Sequence, residues 1–153
     1  MARTWIEKLN DNKDYPKVVT IPPKMQKRLG EGKMVIPSPL CIDAEMKKAR
    51  KGKLITFDEI RFWIAKKHRA TTSCAMVTGI HATIAAHAAN ELELQGRKRV
   101  TPYWRTLKTG GEVNPKFPGG LDELKIRLEA EGHKILQKGK KMFVADFEKH
   151  LTK

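Results

Sequence analysis

The spacing of apolar residues predicts two consecutive helices in the middle of the chain. Thr56-Phe57-Asp58-Glu59 has the S/T-x-x-E form of a capping box, and apolar residues then recur at i, i+3 and i+4, so a helix is predicted over residues 56–69. After a polar turn at 71–73, a second apolar stripe predicts a helix over residues 76–94, with its core side formed by Val77, Ile80, Ile84 and Ala88. Two helices joined by a short turn are typical of a helix-turn-helix.

The second of these helices has a face of small side chains. Alanine favours helix formation and leaves a slim surface that another backbone can approach closely. We therefore expect this face to enter a groove of nucleic acid; it consists of His81, Ala82, Ala85, Ala86 and Ala89.

Shorter elements are predicted on both sides of this pair. A short helix covers residues 4–10, and five of the eight prolines fall between residues 16 and 39, which predicts an extended arm with little regular structure. Helices are predicted from Ile42 to a stop at Gly52 and from 121 to 131, with a basic hairpin, the candidate wing, over 97–113. A last hairpin around Lys138-Gly139 precedes a turn of helix at 147–151. This pattern predicts a mainly α fold with small β hairpins, divided into an arm (1–41), a winged helix-turn-helix domain (42–132) and a C-terminal hairpin and helix (133–153).

Charge then points to a polyanion as partner. The 153 residues carry a formal net charge of +14, above the magnitude of about 2 to 8 that solubility asks of a small domain. Residues 1–53 and 97–141 each carry a net +7, whereas residues 54–96 are neutral. Lysine and arginine supply most of the affinity for phosphates, and an element that enters a groove can be neutral, so this distribution suits a nucleic-acid-binding protein.

Composition and motifs exclude several other classes. No apolar run is long enough to span a membrane, and the charged start of the chain is unlike a signal peptide, so a cytoplasmic protein is expected. The two cysteines, Cys41 and Cys74, fit that reducing compartment as buried thiols. Neither the cysteines nor the five histidines show metal-ligand spacing, and no nucleotide-binding loop or hydrolase elbow is present, so we expect neither a metal nor a cofactor.

One segment combines aromatic and basic side chains. Tyr103 and Trp104 lie in a predicted strand between Arg97-Lys98-Arg99 and Arg105, with Lys108 beyond. Aromatic rings among cations can stack on bases while the cations hold phosphates, although the same rings can also serve as core.

The order of motifs over residues 42–132 resembles the DNA-binding domain of the alkylguanine-DNA alkyltransferases, and above all their alkyltransferase-like relatives. In that family a G-K-x-x-[ST]-[YF] sequence opens the helix-turn-helix, as residues 52–57 do here, and the recognition helix ends at an asparagine, as at Asn90. The family's P-C-H-R strand corresponds to residues 102–105, its [YF]-x-G-G loop to 117–120, and its E-G helix end to 131–132.

The resemblance implies a set of site residues. The ring beside the rotated phosphate corresponds to Phe57, and the intercalating arginine to His81. Phosphates and groove would be contacted by Ala82, Ala85, Ala86, Asn90, Arg97, Lys98, Arg99, Arg105 and Lys108, and a lesion pocket would be lined by Tyr103, Trp104, Phe117 and Gly119. The acceptor cysteine corresponds to Tyr103 and its activating histidine to Trp104, so alkyl transfer is not expected.

The resemblance thus implies a monomeric, non-enzymatic protein that binds duplex DNA, with recognition of alkylated guanine and a DNA-repair partner protein as further expectations. Three alternatives remain at this stage: a transferase that uses Cys74 or Cys41, an RNA-binding or ribosome-associated basic protein, and a protein-interaction module.

Overall fold

Helices form about half of the computed structural model, which describes residues 3–152. The helices are α1 (Trp5–Leu9), α2 (Pro23–Leu29), α3 (Pro39–Met46), α4 (Phe57–Lys67), α5 (Ala75–Leu94) and α6 (Gly120–Ala130). The strands are β1 (Lys17–Thr20), β2 (Lys33–Ile36), β3 (Ile55–Thr56), β4 (Thr72–Ser73), β5 (Thr106–Leu107), β6 (Ile135–Lys138) and β7 (Lys141–Val144). Short 3₁₀ turns cover Tyr103–Arg105, Thr109–Gly111 and Phe147–His150.

The central helix pair forms as predicted. Oγ1 of Thr56 accepts a hydrogen bond from the Glu59 amide at 3.3 Å, and Oε1 of Glu59 accepts one from the Thr56 amide at 3.1 Å. This reciprocal pair satisfies two backbone donors that would otherwise lack partners at the start of α4. The capping box is therefore confirmed, and α5 begins after Cys74, one residue earlier than expected.

The proline-rich arm is more regular than expected. β1 pairs antiparallel with β2, and β2 pairs parallel with β4, which gives a three-stranded sheet. The prediction of sparse structure is wrong because Pro23 and Pro39 occupy first helical positions, where a missing N–H costs nothing. Ser38 caps α3 at the Cys41 amide, so α3 starts at Pro39 rather than at Ile42, and the boundary after residue 41 lies inside this helix.

The predicted wing over 97–113 is also corrected. Tyr103–Arg105 form a 3₁₀ turn instead of a strand, and β5 pairs parallel with β3 rather than returning on itself. Only an isolated bridge joins Lys108 to Glu112, because Gly110 and Gly111 both turn the chain at positive φ. The C-terminal hairpin is confirmed: β6 pairs antiparallel with β7, from Ile135 opposite Val144 to Lys138 opposite Lys141.

Helix α5 forms the centre of the core. Its alanine-rich face packs against α3 and α1, and α1 is held there because the Glu91 carboxylate accepts hydrogen bonds from the Trp5 and Ile6 amides at 3.1 and 3.0 Å. Within residues 3–152, no helix is both long enough and apolar enough to span a bilayer.

Candidate nucleic-acid interface

The small side chains of α5 face the interior of the protein. Ala82, Ala85, Ala86 and Ala89 are buried beneath α3 and α1, so this face cannot enter a groove as predicted. The physical reason is that alanine lets a neighbouring helix approach closely, and in this chain the neighbour is another part of the same fold. The expected core stripe is correspondingly wrong at Ile80, which is 52% exposed.

His81 is part of the same buried surface. Its ring packs edge-to-face against Tyr15 at a centroid distance of 5.4 Å. Burial lowers the pKa of His81, against a smaller opposing effect of the Pro37 backbone, so the ring is held neutral. In this position the side chain cannot act as the expected wedge between bases.

The outward face of α5 carries larger apolar residues. Met76 in its first turn is 71% exposed, and Ile80 follows one turn later. Together with Thr83 and Ile84 they line a groove of about 590 Å³ whose other walls include Phe57, Lys8, Lys108 and Lys116. We call this the α5 groove. It combines an apolar floor with three lysines, and two of the predicted contacts, Phe57 and Lys108, belong to it.

The basic segment 97–99 lies on a different side of the molecule. Arg97, Lys98 and Arg99 are exposed and line a second cavity of about 540 Å³ together with Lys47 and Arg50 from the segment after α3. Asn90 is half-buried on α5. The predicted contacts are therefore divided between two surfaces.

The residues of the predicted lesion pocket pack against one another. Tyr103 and Phe117 are 1% and 2% exposed, and the Tyr103 ring meets Trp104 and Phe117 edge-to-face at 5.3 and 6.3 Å. The Tyr103 hydroxyl donates to Glu93 at 3.3 Å, and burial raises the pKa of Tyr103 to about 12. Gly119 lies at the start of α6 with φ of 85°, where a Cβ would meet Glu123. The structure brings these rings together but fills the space between them.

Arg105 is engaged inside the protein rather than available to a phosphate. Its Nη2 and Nε donate to the Glu131 carboxylate at 2.7 and 2.9 Å, and its Nη1 donates to the Ala49 carbonyl at 2.8 Å. Trp104 Nε1 donates to the same carboxylate at 2.9 Å. Burial alone would raise the pKa of Glu131, but the hydrogen bonds from Arg105 and Trp104 hold it below its ordinary value. The predicted phosphate contact by Arg105 is therefore wrong.

The candidate nucleophiles and metal ligands do not form a common site within the described residues. Cys41 lies in the first turn of α3 and Cys74 directly precedes α5, and both are half-buried free thiols. Across residues 3–152, no three His, Cys, Asp or Glu side chains come together as metal ligands would.

Sequence reasoning missed the exposure of Met76 and Ile80, and it also missed the exposed aromatic pair Phe62 and Trp63 on α4. The available signal was Phe62, which falls outside the i, i+3, i+4 pattern that begins at Ile60.

Comparison with known structures identifies the fold. A scan against protein-family models and a search of curated proteins give no match. The structure search matches S. pombe Atl1, an alkyltransferase-like protein, with a TM-score of 0.52 and 17% identity over 75% of this chain and 94% of that chain. The chain has the alkyltransferase-like fold. The Atl1 crystal structure is a complex with damaged DNA that contains O6-carboxymethylguanine. The resemblance seen in the sequence is thereby confirmed at the level of the fold.

Proposed function

We propose that this alkyltransferase-like chain binds duplex DNA without catalysing a reaction, and that α4, its turn and α5 act as the helix-turn-helix of a winged-helix domain. The observation that carries the proposal is the α5 groove, where apolar side chains stand exposed between Lys8, Lys108 and Lys116. Met76 and Ile80 bury only part of their apolar surface in the free protein. In a DNA complex they would face the bases while the lysines neutralise phosphates.

The groove entered would be the minor groove, because Met and Ile are among the side chains that minor-groove proteins insert between base steps. Met76 and Ile80 thus take the place that the sequence assigned to His81. The wing of the proposed domain is the β6–β7 hairpin, which carries Lys140 in its turn and Lys138 and Lys141 at the adjoining strand ends.

Absence of alkyl transfer is part of the proposal. The acceptor position of the family motif holds Tyr103, whose hydroxyl is bonded to Glu93 and stays protonated at neutral pH. The two thiols lie elsewhere, in α3 and at the start of α5. Incubation with a duplex that carries a labelled alkyl group on guanine should leave the protein unlabelled, and label that depends on Cys41 or Cys74 would establish the rival transferase.

A more specific form of this function is the recognition of an alkylated guanine in the duplex. A base placed between Tyr103, Trp104 and Phe117 would require these rings to separate, since they pack edge-to-face and Tyr103 and Phe117 are buried. The packing therefore favours general duplex binding, and we expect less than about a tenfold preference for an alkylated duplex, or 1.4 kcal/mol.

Fluorescence anisotropy with matched plain and alkylated duplexes across a salt series tests the function. Met76→Ser with Ile80→Ser should weaken duplex binding by about tenfold or more, whereas Ile126→Ser, at an equally exposed apolar position on α6, should not. Competition with RNA of the same length at one salt concentration separates duplex DNA binding from the RNA alternative. Equal loss in both variants, or preference for RNA, would overturn the proposal.

A further inference from the structure

The cavity of about 540 Å³ beside α3 carries a net positive charge, and we call it the basic cavity. The charged residues of its lining are six cations and one carboxylate: Lys47, Arg50, Arg97, Lys98, Arg99, Arg105 and Asp43. Asp43 pairs with Lys47 at 3.1 Å, and Glu131, which is not part of the lining, pairs with Arg105 at 2.7 Å. When all these charges are counted in full, six cations against two carboxylates leave a net charge of +4.

Four exposed cations carry this excess. They have no carboxylate within 4.0 Å among residues 3–152, and they are Arg50, Arg97, Lys98 and Arg99. The backbone of the segment 97–99 is held on both sides. The Arg97 amide donates to the Leu92 carbonyl at 3.0 Å, and the Thr101 hydroxyl donates to the Asp43 carboxylate at 2.6 Å. Three consecutive cations are thus positioned on a fixed backbone with their charged ends in solvent.

This arrangement favours a polyanion over a small ligand. Small-molecule sites orient their ligand through a few precisely placed polar groups inside the cavity. The four unpaired cations of the basic cavity are all exposed, and the buried side chains of Asp43 and Thr101 are bonded to each other. Duplex DNA offers one charge per about 1.7 Å of its axis, which is denser than an extended acidic polypeptide with about 3.3 Å per residue. We therefore expect phosphates of a nucleic-acid backbone at this surface.

The basic cavity and the α5 groove lie on opposite faces of α5. Three residues that line the groove are each followed, nine residues later, by one that lines the cavity: Met76 and Ala85, Ile80 and Ala89, Thr83 and Leu92. Nine residues correspond to about two and a half helical turns, or a rotation of about 180°, and to an advance of about 14 Å along the helix axis. A straight duplex seated in the α5 groove therefore faces away from the basic cavity.

We propose that the basic cavity binds the phosphate backbone of a second duplex, so that one chain bridges two segments of DNA. The first duplex is the one in the α5 groove, and in this respect the inference rests on the proposed function. The two contacts differ in kind, because the α5 groove has an apolar floor whereas the unpaired groups of the basic cavity are cations. The second duplex should therefore be held without sequence preference and with a steep dependence on salt.

Capture of a second duplex tests the inference. A biotinylated duplex of about 15 bp is immobilised, loaded with the full chain and washed, and a fluorescent duplex of the same length is then added. A duplex of about 15 bp is far shorter than the persistence length of about 150 bp, so it does not wrap around the protein. The fluorescent duplex should be retained, and complexes sedimented in an excess of duplex should contain one chain and two duplexes.

The salt dependence of capture has an expected magnitude. Four cations that each neutralise one phosphate give a slope of about −3.6 for the logarithm of the binding constant against the logarithm of the salt concentration. The affinity for the second duplex should therefore fall about twelvefold when the salt concentration doubles.

Variants separate the two surfaces. The triple change Arg97→Gln, Lys98→Gln and Arg99→Gln should reduce capture of the second duplex by about tenfold or more, while binding of a single duplex stays within about threefold. The matched control removes the same charge from exposed positions on α2 that belong to neither surface: Lys24→Gln, Lys27→Gln and Arg28→Gln. This control should retain capture. Because all six side chains are exposed, both variants are expected to fold.

The failure of this inference can be told apart from the failure of the proposed function. A complex with only one duplex, weakened by Met76→Ser with Ile80→Ser but not by the change at 97–99, would refute the second site and leave the α5 groove as the DNA site. The opposite pattern would refute both, because the basic cavity would then hold the only duplex.

Three other results would overturn the bridging inference. One is an equal loss of capture in the two triple variants, which would reduce the effect to overall charge. Another is a sedimented complex with two chains and two duplexes, which would assign the bridging to a protein dimer. The third is stronger retention of a fluorescent polyglutamate than of the second duplex, which would make the basic cavity a site for acidic protein.

Discussion

Arg105→Met is the substitution that best separates the role of Arg105 in the structure from the phosphate contact that the sequence predicted. The change removes the guanidinium hydrogen bonds to Glu131 and to the Ala49 carbonyl. The Glu131 carboxylate is nearly buried and would retain only the Trp104 indole and the Gly52 amide as donors.

The expected cost follows from that geometry. Removing one partner of a buried ion pair typically costs about 3–5 kcal/mol, because the remaining charge is left without compensation. For a chain of this size, such a loss lowers the melting temperature by roughly 10 °C. The loss should shrink at low pH: since the folded-state pKa of Glu131 is lowered, the ion pair stabilises the wild type above about pH 4.3 and this contribution disappears as the pH falls further.

Urea unfolding and DNA anisotropy on the same samples make the comparison. Arg105→Met should lose stability while the folded protein keeps its DNA affinity within about twofold. Lys116→Met is the matched control, because Lys116 is exposed in the α5 groove and should show the reverse: stability within about 0.5 kcal/mol, but weaker DNA binding and a reduced salt dependence. A stability change below about 1 kcal/mol for Arg105→Met together with a tenfold loss of DNA affinity would refute the structural role.

Three further predictions concern burial and capping. Ala85→Glu should prevent folding, because it places a charge in a fully buried position; a soluble, folded variant by circular dichroism would contradict this packing of α5. Thr56→Ala should lower the free energy of unfolding by about 1 kcal/mol through loss of the capping box, and an unchanged urea midpoint would count against it. Burial lowers the pKa of both His81 and His133, and electrostatic repulsion by the neighbouring His150 adds to this effect at His133. The unfolded chain therefore binds more protons below about pH 6.5, and stability should decrease from pH 7.5 to 5.5. Equal urea midpoints at the two pH values would exclude this linkage.

Elements whose formation depends on a few neighbouring residues were predicted correctly from the sequence. The capping box at Thr56 and the hairpin around Gly139 were predicted because a few neighbouring residues determine both. The same reasoning failed for α5, whose two faces are both apolar. Periodicity could not show that the alanines are covered by α3 and α1 while Met76 and Ile80 remain exposed.

Long-range partners account for the remaining errors. Arg105 looked like a phosphate contact because its carboxylate partner lies 26 residues later in the chain. β2 was missed because its parallel partner, β4, follows after two intervening helices. Motif order nevertheless predicted the fold, since the order of elements survives even where single site residues differ.

The anchoring of α4 and α5 by remote segments has a consequence for the order of folding. α1 is joined to α5 through Glu91, which lies 86 residues after Trp5. Leu54, just before β3 and α4, is joined to the C-terminal segment by two hydrogen bonds of 2.8 Å. The Leu54 amide donates to the His150 carbonyl, and the Thr152 amide donates to the Leu54 carbonyl. Contacts of such long sequence separation form late, because loop closure must come first. During synthesis α4 and α5 can therefore form as helices well before their orientation in the fold is fixed. We expect the native arrangement to be reached only after residue 152 has left the ribosome.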